Sequence, residues 1–362
     1  MKKILFAITG LGGGGAERVV SVWASQLAQR GYDVGIFTYA RKKTGEYTVD
    51  PRVKRLILTE DIKDYLAMSY FKRYRLMRKM VKEFAPDVMI SFLQNMEIWM
   101  AAATVGMKVT RVDTVRISPW HCYNGAVIKL LWKLCLKTSD MNILQSEDQK
   151  PFFSQRVQKK CVVVPNPLNE TYEKEGKTEF ASRVTKFAAA GRLCKHKNFP
   201  LLINAFAKAC KERSDMTLDI YGKGDDAYVA ELQSLIDTLG VGARVRLCGK
   251  TNDMHTALLE HDAFVMSSNY EGMPNALAEA MAVGLVCIST DCKTGPRDLI
   301  KDGENGFLVP VGDVDAMAEK IRLVAEMDAA QIEQFGIEAR RHVTTLCGRE
   351  NSLQKLIEAI EK

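Results

Sequence analysis

A repeated alternation of short apolar runs and amphipathic segments constrains the fold of this chain more than any other feature. Lys2–Thr9 is an apolar run of strand length that leads into a glycine-rich loop, Gly10–Gly15. The residues after the loop carry an apolar stripe of helical spacing, which ends at Gly31. A second strand follows, and the pattern recurs in the runs PDVMISFL and VTRVDTV. This βαβ order predicts a parallel sheet covered by helices.

A polar, proline-bearing stretch between Pro165 and Thr185 interrupts the alternation, and we interpret it as an interdomain linker. The alternation then begins again. Strands are predicted at KFAAAGRL, MTLDIYG, RVRLCGK, DAFVMSS and LVCIST, and helices at FPLLINAFAKAC and AYVAELQSLIDTLG. A chain of 362 residues is long enough for two domains of ordinary size. The sequence therefore predicts two doubly wound α/β domains whose ligands bind at the carboxyl ends of both sheets.

The composition excludes several other classes of protein. With 47% hydrophobic and 26% charged residues, the chain is neither disordered nor fibrous. No run of about 18 uncharged apolar residues is present, so no membrane-spanning helix is expected. The basic start and the short run ILFAI lead straight into glycines without a cleavage site, which favours a first buried strand over a signal peptide.

The cysteines and histidines do not have the spacing of a metal site. Nine cysteines, an odd number without a CxxC pair, are expected to be reduced core thiols of a cytosolic protein. They are Cys122, Cys135, Cys161, Cys194, Cys210, Cys248, Cys287, Cys292 and Cys347. The five histidines show no HExxH or similar spacing. We therefore expect neither a dedicated metal site nor a cofactor.

The two halves of the chain differ in charge. Residues 1–170 contain 27 Lys and Arg against 15 Asp and Glu, a net charge of +12, whereas residues 171–362 contain 24 against 29, a net charge of −5. This asymmetry indicates that the first half meets an anionic surface.

The glycine loop near the start is a candidate phosphate site. Gly10, Gly12 and Gly15 fit the pattern GxGxxG between a strand and a helix, where the amides of a helix N-terminus favour an anion. An NAD site would place an acidic residue at the end of the second strand, but this strand ends in the basic cluster Tyr39–Lys43. An NADP-dependent oxidoreductase and a tight turn without a ligand both stay open as alternatives.

Two cations follow the first strand of the second half. Arg192 comes directly after the strand, and Lys197 lies just before a helix that starts near Phe199. At the carboxyl end of a parallel strand, a planar guanidinium and a compact ammonium can both bind phosphate oxygens. The alternative is that Arg192 and Lys197 are merely solvated loop charges. The next segment argues against it, because it suits the same ligand.

That segment runs from Asn269 to Gly284. A loop carries Glu271, and Pro274 suits a first helical turn, so that backbone amides there can bind a diphosphate. Glu279 falls on an apolar helix face, where a carboxylate is costly unless hydrogen-bond donors reach it. Vicinal ribose hydroxyls would be such donors; a structural capping role is the alternative.

Together these motifs resemble family 4 of the retaining glycosyltransferases, which have the two-domain GT-B fold. The similarity rests on Glu271-x7-Glu279, on Gly191-Arg192 with Lys197 upstream, and on the glycine loop through Glu17. It extends over the whole chain, through Tyr221-Gly-Lys-Gly-Asp, Asp262-Ala-Phe-Val, Ser289-Thr-Asp-Cys and Gly303–Pro310. The stretch EGMPNALAEAMAVG is most similar to bacterial enzymes that extend cell-surface or lipid-linked glycans.

The resemblance implies a domain division. Residues 1–168 would form an acceptor-binding Rossmann-like domain and residues 169–345 a nucleotide-sugar-binding one, with both sheets facing a central cleft. Residues 346–362 would form a helix that crosses back to the first domain.

The resemblance also implies roles for the matching residues. Arg192 and Lys197 would hold the donor diphosphate, Glu279 the ribose hydroxyls, and Glu271 the donor sugar near C3. Amides of the turn beside Glu271 would help; the donor-binding residues implied there are Gly272, Met273, Pro274, Asn275, Ala276 and Leu277. Gly14 and Gly15 would approach the donor from the first domain, and Lys250 follows the strand end where the family binds uracil.

One position departs from the family pattern. Many relatives have a histidine in the first domain that reaches the donor sugar, within a stretch such as S-E-H. Here the stretch reads Thr114-Val-Arg116-Ile-Ser-Pro119, and His121 comes five residues after the arginine. We expect Arg116 to contact donor or acceptor in place of that histidine.

The activity implied is transfer of a hexosyl or N-acetylhexosaminyl group from a UDP-sugar, with retention of configuration, to a polyprenyl-diphosphate-linked or other saccharide in surface polysaccharide synthesis. Arg192, Lys197 and the helix amides would oppose the charge that grows on the leaving diphosphate. A GT-B nucleotide-sugar epimerase, the NADP oxidoreductase and a catalytically silent sugar-nucleotide sensor are the alternatives. The sequence leaves the sugar open among GalNAc, GlcNAc, Gal and Glc.

Two basic stretches in the first half favour a membrane surface. Tyr70–Lys82 has six cations and no acid, and Ala126–Lys137 is apolar with cations at Lys129, Lys133 and Lys137. Both are predicted to be amphipathic helices on an anionic leaflet, which implies a peripheral protein on the cytoplasmic face of the membrane. Solvated helix faces are the alternative, and no nucleic-acid-binding module is recognised.

Overall fold

The computed structural model describes residues 1–41, 45–121, 125–211, 213 and 215–361. These residues divide into two compact units, one of Met1–Pro167 with the C-terminal residues from Ser352 onward, the other of Leu168–Asn351. Cys122, the last two lysines of the cluster Tyr39–Lys43 and Lys362 lie outside the described residues.

A seven-stranded, fully parallel sheet forms the centre of the first unit. Its strands are β1 (Lys3–Ala7), β2 (Asp33–Ala40), β3 (Lys54–Thr59), β4 (Val88–Phe92), β5 (Thr110–Thr114), β6 (Met141–Leu144) and β7 (Cys161–Val163). The strand order is β3-β2-β1-β4-β5-β6-β7, so the direction of winding reverses between β1 and β4. Ligands of such sheets bind outside the carboxyl ends of the strands at this reversal.

Helices connect these strands. They are α1 (Gly15–Gln29), α2 (Ile62–Ala67), α3 (Tyr70–Phe84), α4 (Gln94–Ala103), α5 (Ala126–Thr138) and α6 (Gln155–Gln158), with a 3₁₀ helix at Glu147–Phe152. In β1, Ile4 and Phe6 belong to one buried cluster, whereas Leu5 and Ala7 belong to another. Both faces of the sheet are therefore covered, which explains why its central strands are almost continuously apolar.

The C-terminal helix supplies part of the first unit's core. Leu353, Leu356 and Ile360 are buried in the same cluster as Ile4. The indole of Trp23 donates a hydrogen bond of 2.9 Å to the hydroxyl of Ser352, which donates one of 2.7 Å to the carbonyl of Pro165. Each of these buried polar groups thus has a partner.

The second unit has a six-stranded parallel sheet of order β10-β9-β8-β11-β12-β13. Its strands are β8 (Lys186–Ala190), β9 (Thr217–Tyr221), β10 (Val245–Gly249), β11 (Ala263–Met266), β12 (Val286–Thr290) and β13 (Phe307–Val309). The remaining helices are α7 (Glu170–Lys174), α8 (Phe199–Ala209), α9 (Asp226–Thr238), α10 (Met254–Leu259), α11 (Asn275–Val283), α12 (Pro296–Leu299), α13 (Val314–Ala325), α14 (Ala329–Cys347) and α15 (Arg349–Glu361), the last continuing into the first unit. Winding reverses between β8 and β11.

Glycines allow the loops at the carboxyl edge of this sheet to pack backbone against backbone. A Cβ atom at Gly222 would lie 1.8 Å from the carbonyl oxygen of Gly191. The amide of Gly191 donates to the carbonyl of Tyr221 (3.0 Å), and that of Gly222 to the carbonyl of Gly249 (2.8 Å). Any side chain at Gly222 would force these loops apart.

The prediction of two doubly wound parallel sheets is confirmed, but the sequence pattern missed four strands and several helices, among them α4, α7, α13 and α14. The missed strands β3, β6, β7 and β13 are edge strands or neighbours of an edge, and two have only three residues. The stretch interpreted as a linker contains α7, which begins where the side chain of Asn169 accepts a hydrogen bond from the amide of Glu170. Tyr172 anchors it by burial in the second unit's core.

Candidate active site

Two loops flank the reversal point of the second sheet. One follows β8 and runs to Asn198, the N-cap residue of α8; the other follows β11 and runs to Pro274, the N-cap residue of α11. The strands that precede them are hydrogen-bonded neighbours. Lys197 and Glu271, which are 74 residues apart in the sequence, are thereby brought together.

The centre of this site is an ion pair between Lys197 and Glu271. Lys197 Nζ lies 2.6 Å from Glu271 Oε1, and the two side chains are only 17% and 12% exposed. The hydroxyl of Ser268 donates to the same oxygen at 2.6 Å. Glu271 Oε2 has no hydrogen-bond partner among the described residues, so a ligand hydroxyl could donate to it.

Backbone contacts hold the two loops together. The hydroxyl of Ser267 donates to the carbonyl of Lys197 (2.8 Å), and the amide of Asn269 to the carbonyl of His196 (2.7 Å). The side-chain amide of Asn198 donates to that of Asn269 (3.0 Å). The ion pair is therefore built on a preorganised frame, which is the condition for electrostatic stabilisation without reorganisation.

Two aromatic rings, one from each loop, also contact each other. The rings of His196 and Tyr270 stack with centroids 5.2 Å apart. Burial, and then the neighbouring cations of Lys197 and Arg192, hold the pKa of His196 below its usual value despite the opposing charge of Glu271. The imidazole is therefore neutral at pH 7.

The N-terminus of α11 is the anion-binding element of the site. Its N-cap residue Pro274 makes no side-chain hydrogen bond to the helix, and the first amides of a helix favour an anion. The turn before the helix is fixed by Thr294, whose hydroxyl donates to the carbonyls of Glu271 (3.2 Å) and Gly272 (2.9 Å). Asn275 and Ala276 are half-buried, whereas Met273 and Leu277 face the core.

Glu279 lies one turn further along α11. It is 8% exposed and flanked by fully buried alanines and methionine of the same helix. A carboxylate in this environment is costly to desolvate unless donors reach it, as the sequence analysis argued.

The other cations of the second sheet's edge are solvent-exposed. Arg192 and Lys195 make no ion pair with any described residue. Lys250 is exposed and directly follows β10, two strands away from β8, beside the loop that contains Gly222. Arg192 is thus an available cation next to a site whose lysine is already paired.

The glycine loop of the first unit contains a carboxylate of its own. Gly14 is the N-cap residue of α1, and Gly15 is the first residue of the helix. A Cβ atom at Gly14 would lie 2.1 Å from Glu17 Oε2, so a larger residue there would displace the carboxylate of this flexible side chain. The carboxylate is in the first helical turn, where it stabilises the positive end of the helix dipole.

Arg116 lies just beyond the end of β5. Its guanidinium is 5.1 Å from the ring centroid of Phe92 and 5.4 Å from that of Trp23. It donates a hydrogen bond to Asn166 Oδ1. Burial lowers the pKa of this arginine to about 9.

Four residues of the second unit's site were missed by the sequence analysis, namely His196, Ser267, Ser268 and Thr294. Ser267 and Ser268 end an otherwise apolar strand, which was the available signal. The others act through contacts between distant segments, for which the sequence has no local pattern.

The described residues contain neither an activated thiol beside Glu271 nor a cluster of metal-ligating side chains. Burial, and then the charge of Glu271, raise the pKa of the Cys292 thiol to about 12, so it is not a nucleophile at neutral pH. Over the described part of the chain, no three His, Cys, Asp or Glu side chains cluster as metal ligands. Nor does any described helix have the length and apolar character needed to cross a membrane.

Two family models match the chain one after the other. Glycosyltransferase Family 4 matches residues 13–172, and Glycosyl transferases group 1 matches residues 171–342. Together they leave only short stretches at the two ends unmatched.

Two enzymes of Campylobacter jejuni are similar over most of their length. The chain is 28% identical to GalNAc-alpha-(1->4)-GalNAc-alpha-(1->3)-diNAcBac-PP-undecaprenol alpha-1,4-N-acetyl-D-galactosaminyltransferase, covering 90% of this chain and 89% of that one. It is 27% identical to N-acetylgalactosamine-N,N'-diacetylbacillosaminyl-diphospho-undecaprenol 4-alpha-N-acetylgalactosaminyltransferase, covering 91% of both.

Among solved structures, that of Anabaena HepE in complex with UDP-glucose matches with a TM-score of 0.80 at 18% identity, covering 100% of both chains. At this identity the match establishes the fold. With two parallel α/β sheets of this topology and both family models matched in order, the chain belongs to the group 1 glycosyltransferases of family 4, enzymes of the GT-B fold that transfer sugars from nucleotide sugars.

Proposed function

We propose that this enzyme transfers a hexosyl or N-acetylhexosaminyl group from a UDP-sugar to a lipid-linked saccharide, with retention of configuration, during surface polysaccharide or lipopolysaccharide synthesis. The observation that carries this proposal is the Lys197–Glu271 pair beside the uncapped N-terminus of α11. Cations and amides there suit a diphosphate, and a carboxylate suits sugar hydroxyls.

The donor diphosphate is the group that these cations would stabilise. As the glycosidic bond breaks, negative charge grows on the leaving phosphate, and Arg192, Lys197 and the amides of Asn275, Ala276 and Leu277 oppose it. Glu271 balances Lys197 before a diphosphate arrives, so Arg192 is the cation that adds uncompensated positive charge. Glu279 would accept hydrogen bonds from the ribose, and Lys250 would lie toward the base.

The proposed retention is carried over from the family and does not require Glu271 to act as a nucleophile. Glu271 Oε1 is engaged by Lys197 and Ser268, an arrangement that suits hydroxyl recognition rather than attack on the anomeric carbon. A retaining hydrolase would instead need two carboxylates about 5 Å apart on one bond. In the proposed path the leaving phosphate accepts the proton of the acceptor hydroxyl on the same face of the sugar.

The first unit would bind the acceptor, with Gly14, Gly15 and Arg116 near the donor. Two relatives named above act on undecaprenyl-diphosphate-linked saccharides. A lipid-linked acceptor requires the enzyme to work at a membrane surface. The first unit, which would bind the acceptor, should therefore have a surface that binds lipid.

The outer face of α5 is such a feature. Its apolar side chains Val127, Leu130, Leu131 and Leu134 are 40–71% exposed, while Trp132, Cys135 and Leu136 anchor the opposite face in the core. The lysines of the helix form an exposed stripe beside this apolar row, and the helix has no acidic residue. An exposed apolar row flanked by cations suits an anionic lipid interface.

The basic helix α3 contributes less than its sequence predicts. Arg73 donates to the carbonyls of Tyr65 and Leu66, and Arg78 donates to the carbonyls of Ala103 and Val105. These two arginines therefore fasten the helix to its neighbours. Four exposed cations and the exposed rings of Tyr70 and Phe71 stay available for a membrane.

A panel of UDP-sugars tests the transfer reaction. We expect UDP-GalNAc, UDP-GlcNAc, UDP-Gal or UDP-Glc to raise the melting temperature, and UDP to be released only when a polyprenyl-diphosphate-linked saccharide is added. Release of UDP without an acceptor would favour a hydrolase, and conversion of the UDP-sugar to its epimer without net release of UDP would favour an epimerase. Binding of NADPH with no response to any UDP-sugar would contradict the proposal.

Vesicle flotation tests the membrane surface. We expect recovery with vesicles that contain phosphatidylglycerol, much lower recovery with phosphatidylcholine alone, and loss of binding when Leu130→Ser is combined with Leu134→Ser. A matched control combines Leu323→Ser with Ile337→Ser, which are similarly exposed in the second unit. Equal recovery from both vesicles, or equal effects of both double variants, would contradict a role for α5.

A further inference from the structure

A cavity of about 310 Å³ lies at the amino edge of the second unit's sheet. Among the residues that line it, Lys186 and Thr217 begin β8 and β9, and Arg244 directly precedes β10. The Lys197–Glu271 pair lies at the opposite edge of the same sheet, where the strands end. The five residues of β8 place about 16 Å between the two edges. The cavity is therefore separate from the candidate active site, and its volume is that of a small-molecule site.

The floor of this cavity is a carboxylate in the middle of β9. Asp219 lies between Leu218 and Ile220, which are buried in the core on one face of the sheet, so its own side chain is on the other face. It is 5% exposed and accepts hydrogen bonds of 2.7 and 2.6 Å from Arg246. Although burial alone would raise the pKa of Asp219, the hydrogen bonds and charges of Arg246 and His261 hold that pKa below its usual value. Asp219 is therefore ionised at pH 7.

His261 is a second partner of the same carboxylate. It is 4% exposed, and its Nε2 lies 3.3 Å from Asp219 Oδ2 while its Nδ1 lies 2.7 Å from the carbonyl oxygen of Ala257. An ionised carboxylate and a carbonyl can only accept, so both contacts are hydrogen bonds when each ring nitrogen carries a proton and the imidazole is a cation. One buried carboxylate is then shared by two cations, which leaves a net positive charge beneath the cavity.

Two further cations of the cavity have no carboxylate of their own. Neither Lys186 nor Arg244 forms an ion pair with a described residue, and Arg244 uses only its Nη1, on the carbonyl of Cys210 at 3.1 Å. Arg246 binds Asp219 through Nε and Nη2, so no described residue accepts from its Nη1. The other acidic residue of the lining, Glu260, is exposed and makes no ion pair within the described part of the chain. The cavity thus combines cationic donors for an anion with one carboxylate that can accept from a hydroxyl.

We propose that this cavity binds a phosphate monoester of a small polyhydroxylated molecule, with Lys186, Arg244 and Arg246 on the phosphate and Glu260 on a hydroxyl. Guanidinium groups match the geometry of phosphate oxygens, and an ammonium adds a compact charge. The proposal goes beyond the proposed function and does not rest on it, because none of these residues belongs to the catalytic edge. A ligand here and a UDP-sugar should therefore bind at the same time.

Combining Lys186→Met with Arg244→Met tests the site, because it removes two cations that take part in no ion pair with described residues. The probe is glycerol 3-phosphate, titrated calorimetrically into protein that is saturated with UDP so that the catalytic edge is occupied. We expect the wild type to bind the probe and the double variant to lose its affinity by about tenfold or more. The affinity for UDP should not change, which verifies that the variant is folded. Lys186→Met alone, at an exposed position, should cause a smaller loss in the same direction.

Lys211→Met combined with Lys301→Met is the matched control, since both are exposed lysines of the same unit without an ion pair to described residues. This control should leave the affinities for glycerol 3-phosphate and for UDP unchanged. Binding of sulfate as tight as that of glycerol 3-phosphate would mean that the cations attract any small anion. Equal losses in the two double variants would mean a general effect of net charge. Either result, or a wild-type protein that does not bind glycerol 3-phosphate, would overturn the proposal.

Discussion

The carboxyl edges of the two sheets differ in how the charge of a cation is compensated. In the second unit Lys197 is paired with Glu271 at 2.6 Å on a frame of backbone hydrogen bonds. In the first unit Arg116 is half-buried against aromatic rings and has no described carboxylate beside it. In both parallel sheets the direction of winding reverses beside the first strand, between β1 and β4 and between β8 and β11. The difference between the two edges therefore arises from the loops and not from the topology.

This difference teaches where each unit needs a ligand. An ion pair such as Lys197–Glu271 is compensated without a ligand. A bound anion then competes with the carboxylate for the lysine. An uncompensated cation costs free energy of folding that only a bound anion recovers, so its presence points to binding.

Removing the cations of the second unit should have the largest effect. We expect Arg192→Ala and Lys197→Ala each to lower kcat by about 100-fold or more, because each removes a group that opposes charge on the leaving phosphate. Lys195→Ala, a change of an exposed lysine on the same loop, is the control and should have little effect. Steady-state kinetics with a saturating acceptor provide the measurement.

The two cations should differ in their effect on stability. Lys197→Ala leaves the carboxylate of Glu271 buried without its cation, so the free energy of unfolding should fall, whereas Arg192→Ala should leave it unchanged. Adding Glu271→Gln to Lys197→Ala should restore stability but not turnover. If Lys195→Ala proves to be the costly variant, the phosphate assignment is misplaced.

Glu279→Ala should have the next largest effect. We expect about a 10- to 100-fold loss of affinity for UDP, the amount usual for hydrogen bonds to a charged group, with a smaller change in affinity for inorganic pyrophosphate. Pyrophosphate lacks the ribose, so it serves as the control ligand in the same titration. Equal losses for both ligands, or unchanged affinity for UDP, would contradict a ribose contact.

The sequence was sufficient for the chemistry of the second unit's edge but not for its geometry. Strand ends, a proline before a helix and a carboxylate on an apolar face are local signals, and they led to Arg192, Lys197, Glu271 and Glu279. That Lys197 and Glu271 form an ion pair depends on β8 lying beside β11, and no pattern within either segment encodes that pairing.

The first unit was less predictable for the same reason. Arg116 and its hydrogen-bond partner Asn166 follow different strands, and β6 and β7 were not predicted at all. The helical stripe of α5 was visible, but the sequence could not decide whether its apolar row or its Trp132 side faces the core. Burial of Trp132 is explained by a hydrogen bond of 2.5 Å from its indole to Glu97, a residue 35 positions earlier.

Ser268→Ala should have a smaller effect than the changes above. Its hydroxyl orients the carboxylate of Glu271, so we expect a two- to tenfold rise in KM for the UDP-sugar with unchanged affinity for UDP. Ser267→Ala is the matched comparison, since Ser267 binds the backbone of Lys197 instead. If Ser268→Ala also lowers the affinity for UDP, by as much as it raises KM for the UDP-sugar, then the serine supports the whole loop and not only the carboxylate.

The smallest effect is expected at a second buried ionisable group of the first unit, Glu97. Burial, and then the nearby charge of Asp113, raise the pKa of Glu97 well above its usual value, against the opposing effects of Trp132 and Arg111. The folded protein therefore binds a proton that the unfolded chain loses near pH 4.5. Stability falls as the pH rises from that value through the folded pKa, because the unfolded state then binds fewer protons.

Glu97→Gln removes this slope while keeping an oxygen that accepts from the indole of Trp132. We expect the variant to match the wild type at pH 4 and to exceed it by about 1 kcal/mol in the free energy of unfolding at pH 8, measured with urea. Glu147→Gln, at an exposed carboxylate of the same unit, is the control and should show no such divergence. Parallel pH profiles for Glu97→Gln and the wild type would mean that the protein compensates this carboxylate fully, and the contrast between the two units would then rest on Arg116 alone.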